Sequence, residues 1–342
     1  MTSCSLLVIN YRSATLALSA VATAREAYRG DLQVVIVDNS VDPLEAQALR
    51  GAGHLVVADR NLGYAGAINE GRKWCVGSTL VIANPDVRFA PRSIDLLLAA
   101  GAAVAGPALF WDDAFQWRLP PADVHDRRYL LDRVVASRSR WWAAVRDRRR
   151  IRERVSFWSS TETTKVPSLS GAVLAIRTEA FDAVGGFDER YPLYFEEHDF
   201  LRRVAGEVVY VPEARVRHLY NQSAAGSLES KSFYAESENQ YVRRWMGGAG
   251  AVLKRAELPM GPGRQFTPLP IGPIRLPEGE VVVEASPLAS FDTAAGCFPC
   301  ARQVTIPDDI WNCYRGDVLY VRVVARDTGA TIAAFAKDRM TR

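Results

Sequence analysis

The 342-residue sequence has little of what most readily assigns a protein to a class. Its five cysteines are an odd number, which argues against a secreted disulfide framework. No apolar run approaches the roughly 20 residues of a membrane-spanning helix, and the opening "MTSCSLLVINYRS" has no apolar signal segment. A net charge of +3 is too small to imply a nucleic-acid partner. Histidine is scarce, with four residues and none after His218. Cys297, Cys300 and Cys313 therefore lack a nearby histidine to complete a zinc site, and they read as local structural residues. Gly63, Gly66 and Gly71 have neither the Rossmann spacing nor a Gly-Lys-Ser/Thr phosphate loop. The expectation is a soluble, cytoplasmic protein without nucleic acid.

What is present points to an α/β fold. "SLLVINY", "LQVVIVDNS", "HLVVADRN" and "STLVIANPD" are β-branched runs separated by helix-compatible segments, the first alanine-rich from Thr15 to Tyr28. Their alternation predicts a mostly parallel central sheet flanked by helices. Ligands bind such sheets at the carboxyl ends of the strands, where Asp38, Asp59 and Asp86 fall. Residues 88–105 read as a helix, Val208–Val216 as a strand and Ser227–Met246 as a helix. Beyond Gly247 the Pro/Gly-dense "LPMGPGRQFTPLPIGPIRLPEGE" reads as linker and turns. "EVVVEAS", "GDVLYVRVVARD" and "ATIAAFA" then read as strands of a small β-rich module.

Two charged stretches stand out. "RRYLLDRVVASRSRWWAAVRDRRRIRER" over 127–154 reads either as a helical excursion packed on its own domain or as a helix along an anionic membrane surface. In the second case Arg would face outward and Leu, Val and Trp inward. "YPLYFEEHDFLRR" places Glu196, Glu197 and Asp199 almost consecutively among aromatic residues. Adjacent carboxylates repel and are costly to bury, so they mark a solvated helix start or a site that uses their charge. The crowding by Phe187, Tyr191, Tyr194, Phe195 and Phe200 favours the site. On a helix Glu196 shares a face with Phe200 while Glu197 points elsewhere, so the acids can divide their labour, one acting as general base.

Asp86, directly after a buried strand, is placed to hold Mg²⁺ or Mn²⁺ with a diphosphate, or to cap a turn; Asn84 is a weaker ligand. His218 ends a strand and reads as structural or as a partner of the same ion. Gly63 and Gly66 let backbone approach a ligand while Asn61 and Asn69 tie the turn, unless the segment is an ordinary strand-to-helix connection.

Four blocks, "VINY" with "VVIVDNS", "NLGYAGAINEG", "IANPD", and "LSGAVLAIRTEAFDAVGGFDERYPLYFEEHDFLRR" with "VRHLYNQS", together resemble glycosyltransferase family 2 over residues 5 to about 245. These are inverting nucleotide-sugar enzymes of GT-A fold, and the likeness is to the rhamnosyltransferase-like and galactofuranosyltransferase-like branch. The resemblance implies that Tyr11 and Asp38 contact the base and ribose of a dTDP- or UDP-type sugar donor, with Arg60 and Asn61 near the base and diphosphate. It implies that Gly66, Asn69, Asn84 and Gly171 border the donor site, and that Asp86 and His218 bind Mg²⁺ or Mn²⁺. Asn84-Pro85-Asp86 departs from the family's Asp-x-Asp by one carboxylate. Glu197 takes the place of the general base, with Asp199 second and Glu196 positioning the acceptor.

The implied function is sugar transfer, rhamnose from dTDP-rhamnose foremost, to a saccharide, lipid-linked saccharide or small metabolite. The expected division is a catalytic domain over 1–250 (nucleotide-sugar region 1–106, acceptor region 107–250), a linker over 251–267 and an accessory module over 268–342. This reading leaves room for peripheral contact at the inner face of the membrane and for a homodimer. A sugar-phosphate nucleotidyltransferase would need a basic glycine-rich loop that "NYRSATLAL" does not offer. The intact acidic run argues against a non-catalytic carbohydrate-binding scaffold.

Overall fold

The computed structural model describes residues 4–219, 228–258 and 265–338, so the end of the "VRHLYNQS" block lies outside the described residues. The chain opens with β1 (Cys4–Asn10), α1 (Ala14–Ala27), β2 (Leu32–Asp38), α2 (Pro43–Leu49), β3 (His54–Val57), α3 (Gly63–Arg72) and β4 (Thr79–Ala83). The stretch expected as one helix over 88–105 is instead β5 (Val87–Phe89), α4 (Ser93–Ala99) and the start of β6 (Val104–Phe110). Pro91 and the left-handed Arg92 (φ 66°) separate β5 from α4, and the left-handed Gly101 follows the helix.

Helices α5 (Arg127–Ala136) and α6 (Arg140–Trp158) precede β7 (Thr164–Lys165), β8 (Val173–Arg177), α7 (Thr178–Ala183), α8 (Glu196–Arg203), β9 (Val208–His218) and α9 (Leu228–Ala256), the last kinked at Gly247. The end of α9 occupies the first residues of the stretch expected as a linker over 251–267, whose residues 259–264 lie outside the described chain. Then come β10 (Thr267–Pro268), β11 (Ile274–Arg275), β12 (Val281–Ser286), β13 (Ala295–Cys297), β14 (Gln303–Val304), α10 (Asp308–Cys313), β15 (Val318–Ala325) and β16 (Thr331–Asp338).

The chain divides into two compact units. The first is Met1–Leu109, Thr161–His218 and Leu228–Tyr241; the second is Phe110–Ser160, Leu219–Ser227 and Val242–Arg342. In the first, a sheet of order β3-β2-β1-β4-β8-β6-β9-β5 is parallel from β3 to β4, then continues with β8 antiparallel to β4. Every residue of β1 is buried, as a central strand covered on both faces requires. Helix α1 lays a stripe of Ala14, Ala17, Ala20, Val21 and Ala24 into the core, and its small side chains permit close packing on the sheet.

In the second unit, β10-β16-β15-β12-β13 form a five-stranded sheet. Helix α6 belongs to the same compact unit, and its side chains pair with those of the sheet region. The inward face of α6 carries Arg146, Arg150 and Arg154, and each finds a carboxylate. Arg154 bonds the fully buried Glu284 at 2.7 Å, and Glu284 also holds Arg322 at 2.6 Å. Arg322 reaches Asp147 at 2.9 Å, Arg146 pairs with Asp132 and Asp292, and Arg150 pairs with Asp123 and Asp292. Gly296 is required beside this helix, because a Cβ there would overlap the Trp158 ring.

Removing one member of a buried ion cluster leaves the other charges uncompensated. Glu284→Ala is therefore expected to cost about 3–5 kcal/mol in urea unfolding of the second unit, and a cost below about 1 kcal/mol would show that the cluster is dispensable. A fragment ending near residue 250 strips Asp292 and Glu284 from α6. Light scattering of that fragment is expected to show aggregation.

Candidate active site

The winding runs from β1 outward to β2 and β3, then returns to the other side of β1 with β4. This reversal opens a crevice at the carboxyl ends of β1 and β4, the usual ligand position in such sheets. Asn10 ends β1, and its Nδ2 donates to Asp38 Oδ1 (3.0 Å), Ser40 Oγ (3.2 Å) and Glu45 Oε2 (2.9 Å). Asp38, the last residue of β2, is fully buried. Its Oδ1 also accepts from the Ser40 backbone N–H, while the buried Oδ2 has no hydrogen-bond partner among the described residues. Tyr11 is half exposed, with the Arg12 guanidinium 5.4 Å over its ring. Arg60 is exposed and only loosely paired with Asp59, at 3.8 Å.

Asn61 and Asn69 work on the scaffold. Asn61 Oδ1 accepts from Asn39 Nδ2 (2.8 Å) and Gly63 N–H (2.9 Å), which fixes the start of α3. Asn69 Nδ2 donates to Phe187 O and to Glu189 Oε1, and its Oδ1 accepts from Phe187 N–H. Both amide hydrogens of Asn69 thus hold the 187–189 turn, and a Cβ on Gly186 would overlap its oxygen. A Cβ at Gly66 would meet Leu62 Cβ at 3.3 Å and the Glu189 carboxylate at 3.7 Å, and the Asn84 N–H donates to Ala172 O.

Strand register brings the next pair together. Val87, the first residue of β5, pairs antiparallel with His218, the last of β9. Asp86 therefore lies beside the imidazole, with Oδ1 3.4 Å from Nε2. Burial pushes the Asp86 carboxyl up, but the His218 charge and hydrogen bond and a backbone N–H outweigh it and hold the group below its ordinary range.

The acidic run starts α8, and the backbone enters it through two successive left-handed residues, Tyr194 (φ 69°) and Phe195 (φ 67°). Such conformations cost energy outside glycine, and the packing of Phe195 against Tyr234 and Tyr241 holds them. Phe200 anchors the helix, stacked on Phe187 at 4.5 Å. Glu196 is buried on the Phe200 side, as the helical spacing predicts. Burial and then the Glu197 charge push the Glu196 carboxyl well above its ordinary range. Glu197 packs its side chain against Gly171, where a Cβ would lie 3.3 Å from the Glu197 Cγ. Its Oε2, like that of Glu196, is buried and has no hydrogen-bond partner among the described residues.

Asp199, the other candidate, is fully buried. Arg203 holds it at 2.7 Å and also donates to Val184 O and Gly186 O. That ion pair pins α8 to the Gly185–Gly186 turn.

Tyr64 was missed by sequence reasoning, although it lies inside "NLGYAGAINEG". Its hydroxyl donates to Gly171 O at 3.2 Å. Burial first, then the charges of Glu196, Glu197 and Asp86, push its phenol well up, so it remains a donor amid three acids. Its signal in the sequence was an aromatic hydroxyl one residue after the glycine that begins α3. Asn10 and Glu45 were also missed, being polar residues with no motif of their own.

Because the folded Glu196 binds its proton more tightly than the unfolded chain, it favours the fold at low pH. That contribution is lost as pH rises above the unfolded value of 4.5 toward the raised one. Melting curves across pH are therefore expected to show a decline in this window that Glu196→Gln removes. An unchanged decline in the variant would assign it to another group.

Residues 5–112 match the family model of glycosyl transferase family 2. Two curated relatives from Mycobacterium tuberculosis strains, each named N-acetylglucosaminyl-diphospho-decaprenol L-rhamnosyltransferase, are 32% identical over 212 residues. The match covers 55% of this chain, and the chain spans 65% of the relatives' length. Among solved structures, GalNAc-T7 with UDP, GalNAc and Mn²⁺ is similar at a TM-score of 0.46 and 15% identity, over 73% of this chain and 51% of that one. Staphylococcus aureus TarS 1–349 with UDP is similar at 0.43 and 13%, over 72% of each chain. The mannosyltransferase PcManGT of Pyrobaculum calidifontis with GDP-Man and Mn²⁺ is similar at 0.42 and 14%, over 76% of each.

Proposed function

We propose that this chain is an inverting glycosyltransferase in which an acceptor hydroxyl displaces a nucleoside diphosphate from a sugar donor in one step. The observation that carries the reading is the Glu197 carboxylate, whose Oε2 is buried next to Glu196 and has no hydrogen-bond partner among the described residues. In this scheme Glu197 takes the proton of the acceptor hydroxyl. The oxygen bonds the anomeric carbon as the bond to the diphosphate oxygen breaks, and the configuration inverts. The nucleoside diphosphate leaves with the bonding electrons.

The remaining residues bind and orient. Asp38 supplies a buried acceptor for the base or ribose, Tyr11 offers a flat, half-exposed ring at the rim, and Arg60 adds an exposed cation held only loosely by Asp59. Glu196, whose burial favours the protonated form, spares Glu197 a second negative charge. The ion pair with Arg203 makes Asp199 a weaker choice for the base.

Among the described residues no group of three or more His, Cys, Asp or Glu side chains could hold a metal ion by itself. The Asp86–His218 pair still fits Mg²⁺ or Mn²⁺, because such ions take few protein donors and complete their coordination with phosphate and water. When bound there, the ion would offset charge on the departing diphosphate. The relatives' name supports rhamnose as the sugar, and the proposed donor is dTDP-rhamnose ahead of a UDP-sugar. The name also supports a lipid-diphosphate-linked saccharide as acceptor.

In Glu197→Gln, transfer from dTDP-rhamnose is expected to fall by about 10²–10⁴-fold while dTDP binding persists. Near-normal turnover in that variant, with Asp199→Asn inactive, would move the base to Asp199. Calorimetry of dTDP is expected to show tighter binding with Mn²⁺ than with EDTA, a difference that Asp86→Asn abolishes. Equal binding in both buffers would remove the ion from the scheme.

A further inference from the structure

Helix α6 separates its arginines by face. Arg146, Arg150 and Arg154 turn inward to carboxylates, while Arg140, Trp141, Ala144, Val145, Arg148, Arg149 and Arg152 are exposed. The exposed set forms two adjacent rows at helical spacing. One runs Arg140, Ala144, Arg148, Arg152; the other runs Trp141, Val145, Arg149 and ends on the exposed Glu153. Arg140, Arg148 and Arg152 make no ion pair with any described residue, and Arg149 is the only exposed arginine of the face that reaches acids, Asp132 and Glu153. Trp141 is 70% exposed, and Leu131 on α5 is 51% exposed. The side chain of Arg138, between the helices, is exposed as well, its guanidinium donating to Val134 O.

We propose that this face of the α5–α6 hairpin docks on an anionic lipid bilayer. A polyanion would use the arginines but gives no apolar layer to an indole left in water one turn from Val145, and a soluble acidic partner would need a pocket shaped to that indole. A bilayer interface does both: it attracts the guanidinium groups to its headgroups and takes the amphipathic Trp ring at the boundary. The arrangement differs in part from the one the sequence suggested: four arginines do face outward, but Trp141 and Val145 lie on that face with them, and Arg146, Arg150 and Arg154 turn inward to carboxylates. No helix among the described residues is long and apolar enough to cross a membrane, so the contact is peripheral.

The test is flotation of the full chain with vesicles of phosphatidylcholine, with and without phosphatidylglycerol. The protein is expected to float with the anionic vesicles only, and less so at high salt. At roughly fivefold per arginine, the triple variant Arg140→Glu, Arg148→Glu, Arg152→Glu is expected to lose at least about 100-fold in partitioning. Trp141→Ser is expected to lose about tenfold, and its thermal melt should stay unchanged because the residue is exposed. Failure to float with anionic vesicles would overturn the proposal, as would full binding by Trp141→Ser. Binding to a polyanionic resin without vesicle binding would overturn it in favour of a soluble acidic partner. Concentration-dependent dimerisation abolished by the same variants, without vesicle binding, would overturn it in favour of a second copy.

Discussion

Strand β4 is paired parallel to β1 on one side and antiparallel to β8 on the other, and the geometry of the candidate site depends on that double pairing. The parallel side places the carboxyl end of β4 level with those of β1 and β2, so Asn84 and Asp86 leave the sheet near Asn10 and Asp38. The antiparallel side brings the start of β8 back to the same end, where Ala172 accepts from Asn84 and Gly171 lies against Glu197. A one-residue slip would turn every side chain of β4 to the other face. Backbone pairing thus carries Asp86, just beyond β4, and the Gly171–Ala172 turn to one end of the sheet, where the Tyr64 hydroxyl of α3 bonds Gly171 O and Glu197 of α8 lies against Gly171.

That positioning is achieved against local cost. Two left-handed aromatic residues lead into α8, and its first two residues are adjacent carboxylates, one of them buried. Each feature is unfavourable alone, and the surroundings compensate. Phe200 stacks on Phe187, Arg203 ties Asp199 to two backbone carbonyls, and Ser237 donates to Leu193 O. The compensation stops short of Glu197 Oε2, which has no hydrogen-bond partner among the described residues. Backbone strain and a buried carboxylate oxygen thus coincide at the start of α8.

The features legible in the sequence were those set by local pattern. Unbroken β-branched runs gave β1, β2 and β4, the alanine stripe gave α1 to within a residue at each end, and alternation gave β12, β15 and β16. The acidic helix was legible because its spacing put Glu196 with Phe200. Partners far along the chain were not legible. Asn69 reads as a ligand residue until Phe187 and Glu189, 118 and 120 positions away, claim its amide. Tyr64 acquires meaning only through Gly171, 107 residues on. The short elements around Pro91 were lost because neither is long enough to show a period of its own.

The basic segment shows the same limit in its sharpest form. Composition counts every arginine alike, yet Arg154 is a buried half of an ion pair whose partner lies 130 residues away, and Arg152 two positions earlier is an exposed cation. Neutralising the inner row needs the acids of the β-rich sheet, because desolvating a guanidinium without a carboxylate would be prohibitive. Helical geometry then forces the residues between them outward, whatever their chemistry. A solvated face could hold the arginines at little cost, with acids interspersed to balance them. Here one glutamate stands among four arginines along the exposed face of α6, and the most exposed large hydrophobic residue of that helix is a tryptophan, so hydration accounts for the charge but leaves the indole unexplained.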